Sequence, residues 1–254
     1  MYRRSRRYKR KLPVYAFILA VISLVMVFAF LQKGPASVLA DQDFQASVLA
    51  DQDFLTQDAE PAAPAGTAQT DEWNLTLVNP WNPLPENYTF TLKELSNGQV
   101  VDERCYPDLQ KMMDACRSAG LSPVICSSFR TREMQQDLFQ NKINRLMAQG
   151  LSQDDAETEA AKVVAVPGTS EHQLGLALDI VDLNNQNLDE SQESTPVQKW
   201  LMEHSWEYGF ILRYPNEKSE ITGIIYEPWH YRYVGVDAAS EIHKLGVCLE
   251  EYLA

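Results

Sequence analysis

Residues 170–181 read SEHQLGLALDIV, an apolar run preceded by polar side chains of metal-binding type. The run at 176–181 becomes β-branched towards its end, which predicts a buried strand. His172 lies on the loop that enters this strand, and Asp179 lies within it. A turn through Gly175 can bring both side chains towards one point. The stretch therefore predicts a core strand that carries two candidate metal ligands.

A second polar motif, EPWH at residues 227–230, supplies another of the four histidines in the chain. A catalytic zinc ion commonly has three nitrogen or carboxylate ligands and leaves its fourth position to water. His172, Asp179 and His230 form such a set if His230 comes from a neighbouring strand or its entry. Glu227 stands three residues before His230, where a carboxylate can accept a proton from water without binding the metal. The two motifs together predict a hydrolytic zinc site.

Other polar residues near the motifs fit this site less well. Asp182 is an alternative ligand, but it lies three residues after Asp179 and faces the opposite side of the strand. Glu171 likewise alternates away from the predicted ligand that follows it. His204 and His243 lie on predicted helices without an acidic companion motif, so we expect neither to bind a metal.

Helices and strands are interspersed along residues 73–254 without a regular alternation of long parallel units, which predicts an α+β fold. The predicted strands are residues 122–127, 176–181, 210–214 and 231–234. Helices are predicted at residues 107–119, 131–149, from 152 onwards, at 195–209 and at 238–253.

The N-terminus has the composition of a membrane anchor. Residues 1–11, MYRRSRRYKRK, carry seven positive charges, and an uncharged apolar run follows at 14–31. Eighteen helical residues span about 27 Å, close to the hydrocarbon thickness of a bilayer. We therefore expect a cytoplasmic segment 1–13, a single-pass transmembrane helix at 14–31, and an extracytoplasmic remainder at the cell membrane. The alternative is a signal peptide cleaved after Val38-Leu39-Ala40.

Residues 32–72 are rich in Ala, Gln, Asp and Pro and predict a disordered linker. The sequence ASVLADQDF occurs twice in it, at 36–44 and 46–54. Two short copies are too few for a solenoid, so we interpret the repeat as duplication within a tether. A single catalytic domain is expected at 73–254.

The charge of the chain excludes one class of partner. Without the seven basic charges of residues 1–11, the formal net charge of -13 becomes -20 on the remainder. Such a surface repels a polyanion, so we expect no nucleic-acid partner. Four cysteines lie in the part predicted to be exported, where both disulfides and buried free thiols are plausible.

The motif S-x-H-x-x-G-x-A-x-D at 170–179 and the motif E-x-W-H at 227–230 stand in an order that resembles the VanY branch of the D-alanyl-D-alanine carboxypeptidases, within the LAS metallopeptidase family. Further similarity lies in SSFRTREMQ at 127–135, FILRYP at 210–215 and ITGIIYEPWHYRYVG at 221–235. The resemblance covers roughly the C-terminal half of the chain.

This resemblance implies an enzyme that uses Zn2+ to remove the terminal D-alanine from peptidoglycan stem peptides, and we expect the protein to be a monomer. It also implies a small antiparallel sheet flanked by helices, with zinc in a cleft. The implied roles are zinc ligands for His172, Asp179 and His230, general acid and base for Glu227, catalysis and substrate binding for Arg130, and substrate binding for Ser170, Gln135 and Trp229.

Four other functions share parts of the pattern. An L,D-carboxypeptidase or a cross-link endopeptidase of peptidoglycan would use the same motifs. Two histidines and a carboxylate also form the iron(II) site of some oxygenases, and a non-catalytic cell-wall binding module could keep the zinc site. Glu227 favours hydrolysis over the last two.

Overall fold

The computed structural model describes residues 73–254, which lie within one compact unit of the chain. The predicted basic segment 1–13, anchor 14–31 and linker 32–72 fall outside the described residues. From residue 73 onwards, no helix is both long and apolar enough to cross a membrane.

Six short strands form two antiparallel sheets in the described part of the chain. A hairpin pairs β1 (Leu92–Glu94) with β2 (Val100–Asp102). The second sheet consists of β3 (Pro123–Ser127), β4 (Ala177–Asp182), β5 (Phe210–Leu212) and β6 (His230–Tyr233). Its strand order is β3-β4-β6-β5. All four predicted strands lie in this second sheet, and the α+β class is confirmed.

The inner strand β4 is the apolar run that was predicted as a buried strand at 176–181. All six of its residues are buried. Asp179 on this strand stands opposite His230 of β6 on one side and opposite Ser127 of β3 on the other. Because directly opposite residues lie about 4.5–5.5 Å apart, this register brings the two polar motifs together.

Helices flank the sheet, and three of them begin directly after a residue whose side chain caps the helix. Thr131, Ser152 and Thr195 each accept a hydrogen bond from the backbone N–H three residues later, as N-cap residues do. The helices are α1 (Tyr106–Ser118), α2 (Arg132–Ala148), α3 (Gln153–Ala161), α4 (Pro196–His204), α5 (Ser219–Thr222), α6 (Val236–Leu245) and α7 (Leu249–Tyr252).

Two predicted helices are interrupted. The helix expected at 195–209 ends at His204, and a separate 3-10 turn, Ser205–Tyr208, leads to Gly209. The helix expected at 238–253 divides at Gly246, whose φ of +67° lies in the left-handed region and ends α6. Helical spacing continues through both breaks, which is why the sequence predicted single helices.

Residues 73–105 pack on the sheet in a way that was not predicted. The Trp73 ring stacks on Tyr233 with 5.8 Å between centroids, and the Arg104 guanidinium lies 3.9 Å from the Trp73 ring centroid. Arg104 also binds the buried carboxylate of Asp102. Strands of three residues carry too little periodicity for the hairpin to be recognised.

All four cysteines are free thiols.

Candidate active site

Two backbone features bring the predicted metal ligands together. Asp179 and His230 face each other across β4 and β6. His172 lies in a short 3-10 turn that ends at Gly175 with a φ of +70°. A Cβ atom at Gly175 would lie 2.7 Å from the Phe90 ring, so this turn accepts only glycine. The turn places His172 beside the two strand residues, as predicted.

The three side chains form a compact and buried donor set. His172, Asp179 and His230 are each at most 3% exposed, and one ligand atom from each lies within 4.8 Å of the others. His172 Nε2 is 3.4 Å from Asp179 Oδ2, and His230 Nδ1 is 3.2 Å from Asp179 Oδ1. Two ligand atoms of a tetrahedral zinc ion, each about 2.0–2.1 Å from the metal, are about 3.3–3.4 Å apart. Each histidine therefore lies within this distance of one carboxylate oxygen of Asp179, and a small closure of the three donor atoms from within 4.8 Å would fit zinc.

Hydrogen bonds leave the required atoms free to bind a cation. His172 Nδ1 lies 2.6 Å from the carbonyl oxygen of Ser128. A carbonyl only accepts hydrogen bonds, so Nδ1 carries the proton and Nε2 keeps its lone pair. Asp179 Oδ1 is buried and has no hydrogen-bond partner among residues 73–254. A buried carboxylate oxygen of this kind is expected where a metal binds.

Glu227 lies beside the donor set. Its Oε2 is 3.6 Å from His230 Nδ1, and the residue is 7% exposed. Burial raises the pKa of Glu227 to about 8, although the neighbouring His230 acts in the opposite direction. A cation held by the adjacent ligands would lower this pKa again. A carboxyl group that titrates near neutrality can both accept and donate a proton at the operating pH.

Arg130 also reaches the site and contacts a predicted ligand directly. Its Nη2 donates to Asp179 Oδ2 at 2.7 Å and to Ser127 Oγ at 2.7 Å. Nε donates to the same hydroxyl, and Nη1 donates to Gln135 Oε1 at 3.3 Å. These contacts use four of its five N–H groups. Gln135 is fixed in turn, because its Nε2 donates to the carbonyl of Ala165.

The last two predicted substrate residues flank the ligands. Ser170 is buried and stands at the start of the 3-10 turn that carries His172. Trp229 is 7% exposed, and its carbonyl accepts a hydrogen bond from the backbone N–H of Ile180. Their positions near the donor set are consistent with the prediction, whereas contact with a substrate stays a prediction.

The residues that we expected to lie outside the site do so. Asp182 accepts hydrogen bonds from the backbone and side chain of Asn184. His204 pairs with Glu207 at 2.9 Å. His243 stacks on a tryptophan ring, with 4.6 Å between centroids. The only group in the described part that could hold a metal through three His, Cys, Asp or Glu side chains is therefore the predicted one.

Glu171 is the polar residue whose importance the sequence analysis missed. It is fully buried and forms ion pairs of 2.7 Å with Arg213 and Arg232. Both arginines lie inside aromatic and aliphatic segments, FILRYP and HYRYV. Charges inside such segments are the signal that could have revealed a buried partner, because buried arginines require one.

The buried charges shift the pKa values of the ligands. Burial lowers the pKa of His172 to about 4, with the Arg130 charge acting in the same direction. Burial alone would lower the pKa of His230 too, but Asp179 and Glu171 outweigh it and raise the pKa to about 9. Burial would raise the pKa of Asp179, yet His172, His230 and Arg130 hold it well below its usual value. The neutral form of His172 and the ionised form of Asp179, which these shifts favour, are the forms that bind a metal.

An α+β fold with a buried His-Asp-His donor set and an adjacent titratable carboxylate is that of a zinc metallopeptidase. The family profile described as VanY, D-alanyl-D-alanine carboxypeptidase, matches residues 98–236, more than half of the chain. The chain therefore belongs to the VanY family.

Individual relatives agree with this assignment. The D-alanyl-D-alanine carboxypeptidase of Enterococcus faecalis (strain ATCC 700802 / V583) is 49% identical over 182 residues, which are 72% of this chain and 66% of that relative. A vancomycin-resistance D,D-pentapeptidase VanY mutant in complex with Zn(II) is 48% identical with a TM-score of 0.67, covering 72% of this chain and all of that chain. VanYB in complex with D-alanine-D-alanine is also 48% identical, with a TM-score of 0.66 and coverage of 72% and 98%.

Proposed function

We propose that this protein is a zinc-dependent D-alanyl-D-alanine carboxypeptidase that removes the terminal D-alanine from peptidoglycan stem peptides. The observation that carries the proposal is the buried donor set of His172, Asp179 and His230 with Glu227 beside it, in a fold shared with the VanY structures. One of those relatives is solved in complex with Zn(II) and another with D-alanine-D-alanine. The metal site and the dipeptide chemistry therefore support the same reaction.

His172, Asp179 and His230 would hold the zinc ion through Nε2, a carboxylate oxygen and Nδ1. When bound there, zinc acts as a Lewis acid on the scissile carbonyl and lowers the pKa of water towards about 7. The partners of His172 and Asp179 orient two of the ligands before any substrate arrives, because Ser128 and Arg130 hold them in place.

Glu227 moves the proton in this proposal. Its carboxylate takes a proton from the water whose oxygen attacks the carbonyl carbon. The same group then gives that proton to the amide nitrogen as the carbon–nitrogen bond breaks and D-alanine leaves. Burial raises the pKa of Glu227, and a cation held by the neighbouring ligands would oppose this effect, so that the carboxylate form is available to accept the first proton.

Arg130 supplies the positive charge for an anionic part of the substrate. Four of its N–H groups are committed to Ser127, Gln135 and Asp179. The remaining N–H of Nη1 can donate to the developing oxyanion or to the terminal carboxylate. Ser170, Gln135 and Trp229 complete the substrate site in this proposal, Gln135 by orienting the arginine.

We further propose that the enzyme works outside the cytoplasm while residues 14–31 anchor it in the cell membrane. The basic segment 1–13 supports this orientation, since positive flanks stay on the cytoplasmic side. Peptidoglycan stem peptides lie on the outer side, which is consistent with this placement. The linker 32–72 would tether domain 73–254 to the anchor.

Incubation of the full chain in mild detergent with a pentapeptide stem tests the reaction. We expect mass spectrometry to detect release of the single terminal D-alanine, loss of this activity on adding a chelator, and its recovery with zinc. The tetrapeptide that lacks the terminal D-alanine and a cross-linked dimer are the matched controls, and both should stay intact. Cleavage of either control in preference to the pentapeptide would favour an L,D-carboxypeptidase or an endopeptidase instead.

A further inference from the structure

A buried carboxylate lies on the side of His230 that faces away from the other ligands. Glu171 is 1% exposed, and its Oε1 accepts hydrogen bonds from Arg213 Nε and Arg232 Nη1, both at 2.7 Å. Both guanidinium groups are fully buried. One oxygen of Glu171 is therefore fixed by two cations.

The other oxygen of Glu171 faces the His230 ring. Glu171 Oε2 is 3.8 Å from His230 Nε2, while Nδ1 of the same ring is 3.2 Å from Asp179 Oδ1. Oε2 and Nε2 are both buried, and neither has a hydrogen-bond partner among residues 73–254. A buried polar atom without a hydrogen-bond partner lowers the stability of the folded state. Because Oε2 is an acceptor and Nε2 a potential donor, a hydrogen bond between them would satisfy both atoms.

We propose that Glu171 is a positioning residue for the metal centre. In this role Oε2 would accept a hydrogen bond from Nε2–H of His230 after a small approach from the present 3.8 Å, which keeps the lone pair of Nδ1 directed at Asp179. A neutral imidazole has one N–H, so fixing the proton on Nε2 fixes Nδ1 as the ligand atom. A carboxylate that orients a ligand histidine in this way commonly strengthens metal binding. The inference rests on the proposed zinc site and deepens it.

The surrounding ion cluster is built to hold Glu171 in one place. Arg213 donates to both carboxylate oxygens of Glu250 on α7, at 2.9 and 2.6 Å. Arg232 donates to the carbonyls of Asn74 and Thr76, at 3.0 and 2.9 Å. Two carboxylates thus balance two guanidinium groups without a further charge. Residues near both ends of the described part of the chain therefore bind the two arginines, and the arginines fix the position of Glu171.

A purely structural role for Glu171, as counter-ion to the two arginines, is the competing explanation. It predicts that any loss of charge within the cluster weakens the fold in a similar way. The positioning role predicts a specific effect on His230 and on zinc. Glu171→Gln and Glu250→Gln separate the two explanations, because both remove one charge from the cluster but only Glu171 faces the histidine ring.

The experiment measures zinc affinity of the full chain by competition with a chelator. We expect Glu171→Gln to bind zinc about 10- to 100-fold more weakly. Glu250→Gln should lose much less zinc affinity even if its thermal stability falls, because Arg232 still holds Glu171 and the carboxylate that faces His230 is retained. Wild-type affinity in folded Glu171→Gln, or equal losses in both variants, would overturn the positioning role.

A second measurement does not depend on whether a variant folds. In the zinc-loaded wild-type chain labelled with 15N-histidine, long-range proton–nitrogen spectra should show His230 protonated at Nε2 and His172 protonated at Nδ1. His230 protonated at Nδ1 would overturn the inference. Turnover of the pentapeptide is measured on the same wild-type sample, so that failure of the proposed function is distinguished from failure of the inference. Wild-type zinc-dependent turnover with an incorrect His230 tautomer would reject only the role of Glu171.

Discussion

Glu227 is the side chain on which the proposed reaction depends for its proton transfers. Replacement by glutamine keeps its size but removes the group that accepts a proton. We expect Glu227→Gln to lower kcat by about a hundred- to ten-thousandfold while the zinc content stays at the wild-type level. Steady-state hydrolysis of the pentapeptide together with metal analysis measures both quantities.

Glu220→Gln is the matched control for this variant, because Glu220 is exposed and lies outside the site. Its activity should equal that of the wild type. If Glu227→Gln retained most of its activity, another group would have to accept the proton, and the proposed role would be wrong.

The four histidines allow a direct test of the metal ligands. His172 is buried in the donor set, whereas His204 is half-buried beside Glu203 and Glu207. We expect His172→Ala to lose tightly bound zinc and His204→Ala to keep about one zinc ion per chain, as three-ligand sites predict. Metal analysis after exhaustive dialysis measures the content. Equal zinc content in both variants would contradict the assignment of His172.

The sequence predicted the three residues of the donor set but missed Glu171, which lies behind His230. His172, Asp179 and His230 were recognisable because histidines are few and each motif places its polar residues at fixed positions. Glu171 was set aside because alternation along the chain shows that it points away from the ligand next to it. Alternation does not show which residues the Glu171 side chain contacts in the direction in which it points. Its partners, Arg213 and Arg232, are 42 and 61 residues away in the sequence.

Among the connecting elements, the turn at Gly209 sets the path of the chain into β5. Its φ is +83°, and a Cβ atom there would lie 2.9 Å from the Tyr233 ring and 3.0 Å from the backbone of Gly235. We expect Gly209→Ala to lower the free energy of unfolding by about 2–5 kcal/mol, through backbone strain and overpacking together. Urea unfolding monitored by circular dichroism measures this change.

Gly120 provides the matched control for backbone strain alone. Its φ is +81°, but a Cβ atom there would have nothing within 4 Å. Gly120→Ala should therefore cost only about 1–2 kcal/mol. A loss as large as that of Gly209→Ala would show that close packing at Gly209 contributes nothing.

The C-terminal helix α7 is tied to the loop before α5 by an ion pair with a defined pH range. Lys218 Nζ lies 2.7 Å from Glu251 Oε1, and its hydrogen bond lowers the pKa of Glu251 to about 2 from an ordinary value of 4.5. A lowered pKa in the folded state stabilises the protein above pH 4.5. This contribution is lost as the pH falls from 4.5 towards 2.

We expect Lys218→Met to raise the pKa of Glu251 towards 4.5 and to make unfolding less sensitive to pH in that window. Carboxyl chemical shifts followed by NMR, with urea unfolding at pH 6 and pH 3, measure both effects. Lys244→Met is the control, because Lys244 is exposed and forms no ion pair within residues 73–254. An unchanged pKa of Glu251 in Lys218→Met would contradict the assignment of the pair.

The sequence predicted where helices begin better than where they end. A helix start depends on a few neighbouring residues, because the side chain of the N-cap residue accepts a hydrogen bond from a nearby backbone N–H group. The N-cap residues here are Thr131, Ser152 and Thr195. The breaks at His204 and Gly246 depend on tertiary packing as well, because apolar spacing continues beyond them. A glycine within a helical pattern is compatible with either outcome.

Across the whole molecule, the α+β class and the small antiparallel sheet followed from the order and length of the apolar runs. The packing of residues 73–105 did not, since it depends on contacts such as Trp73 with Tyr233 that join distant parts of the chain. The hairpin strands contain three residues each. Segments this short are stabilised by the surface on which they pack, so local sequence carries little information about them.

The charge distribution of the full chain leads to a prediction about its location. Residues 1–11 carry seven positive charges next to an uncharged run of eighteen residues, while the rest of the chain is strongly acidic. A helix of that length spans about 27 Å, and basic residues resist transfer across the membrane.

We expect the full-length chain in the membrane fraction, resistant to a high-salt wash and released by detergent. Protease added outside spheroplasts should digest domain 73–254. Leu24→Lys should weaken insertion by about 3 kcal/mol and reduce the membrane-bound fraction, whereas Leu24→Ile should not. A shortened chain that begins after Ala40 and is recovered from the medium would instead identify a cleaved signal peptide, because only an uncleaved span keeps the basic segment joined to the catalytic domain.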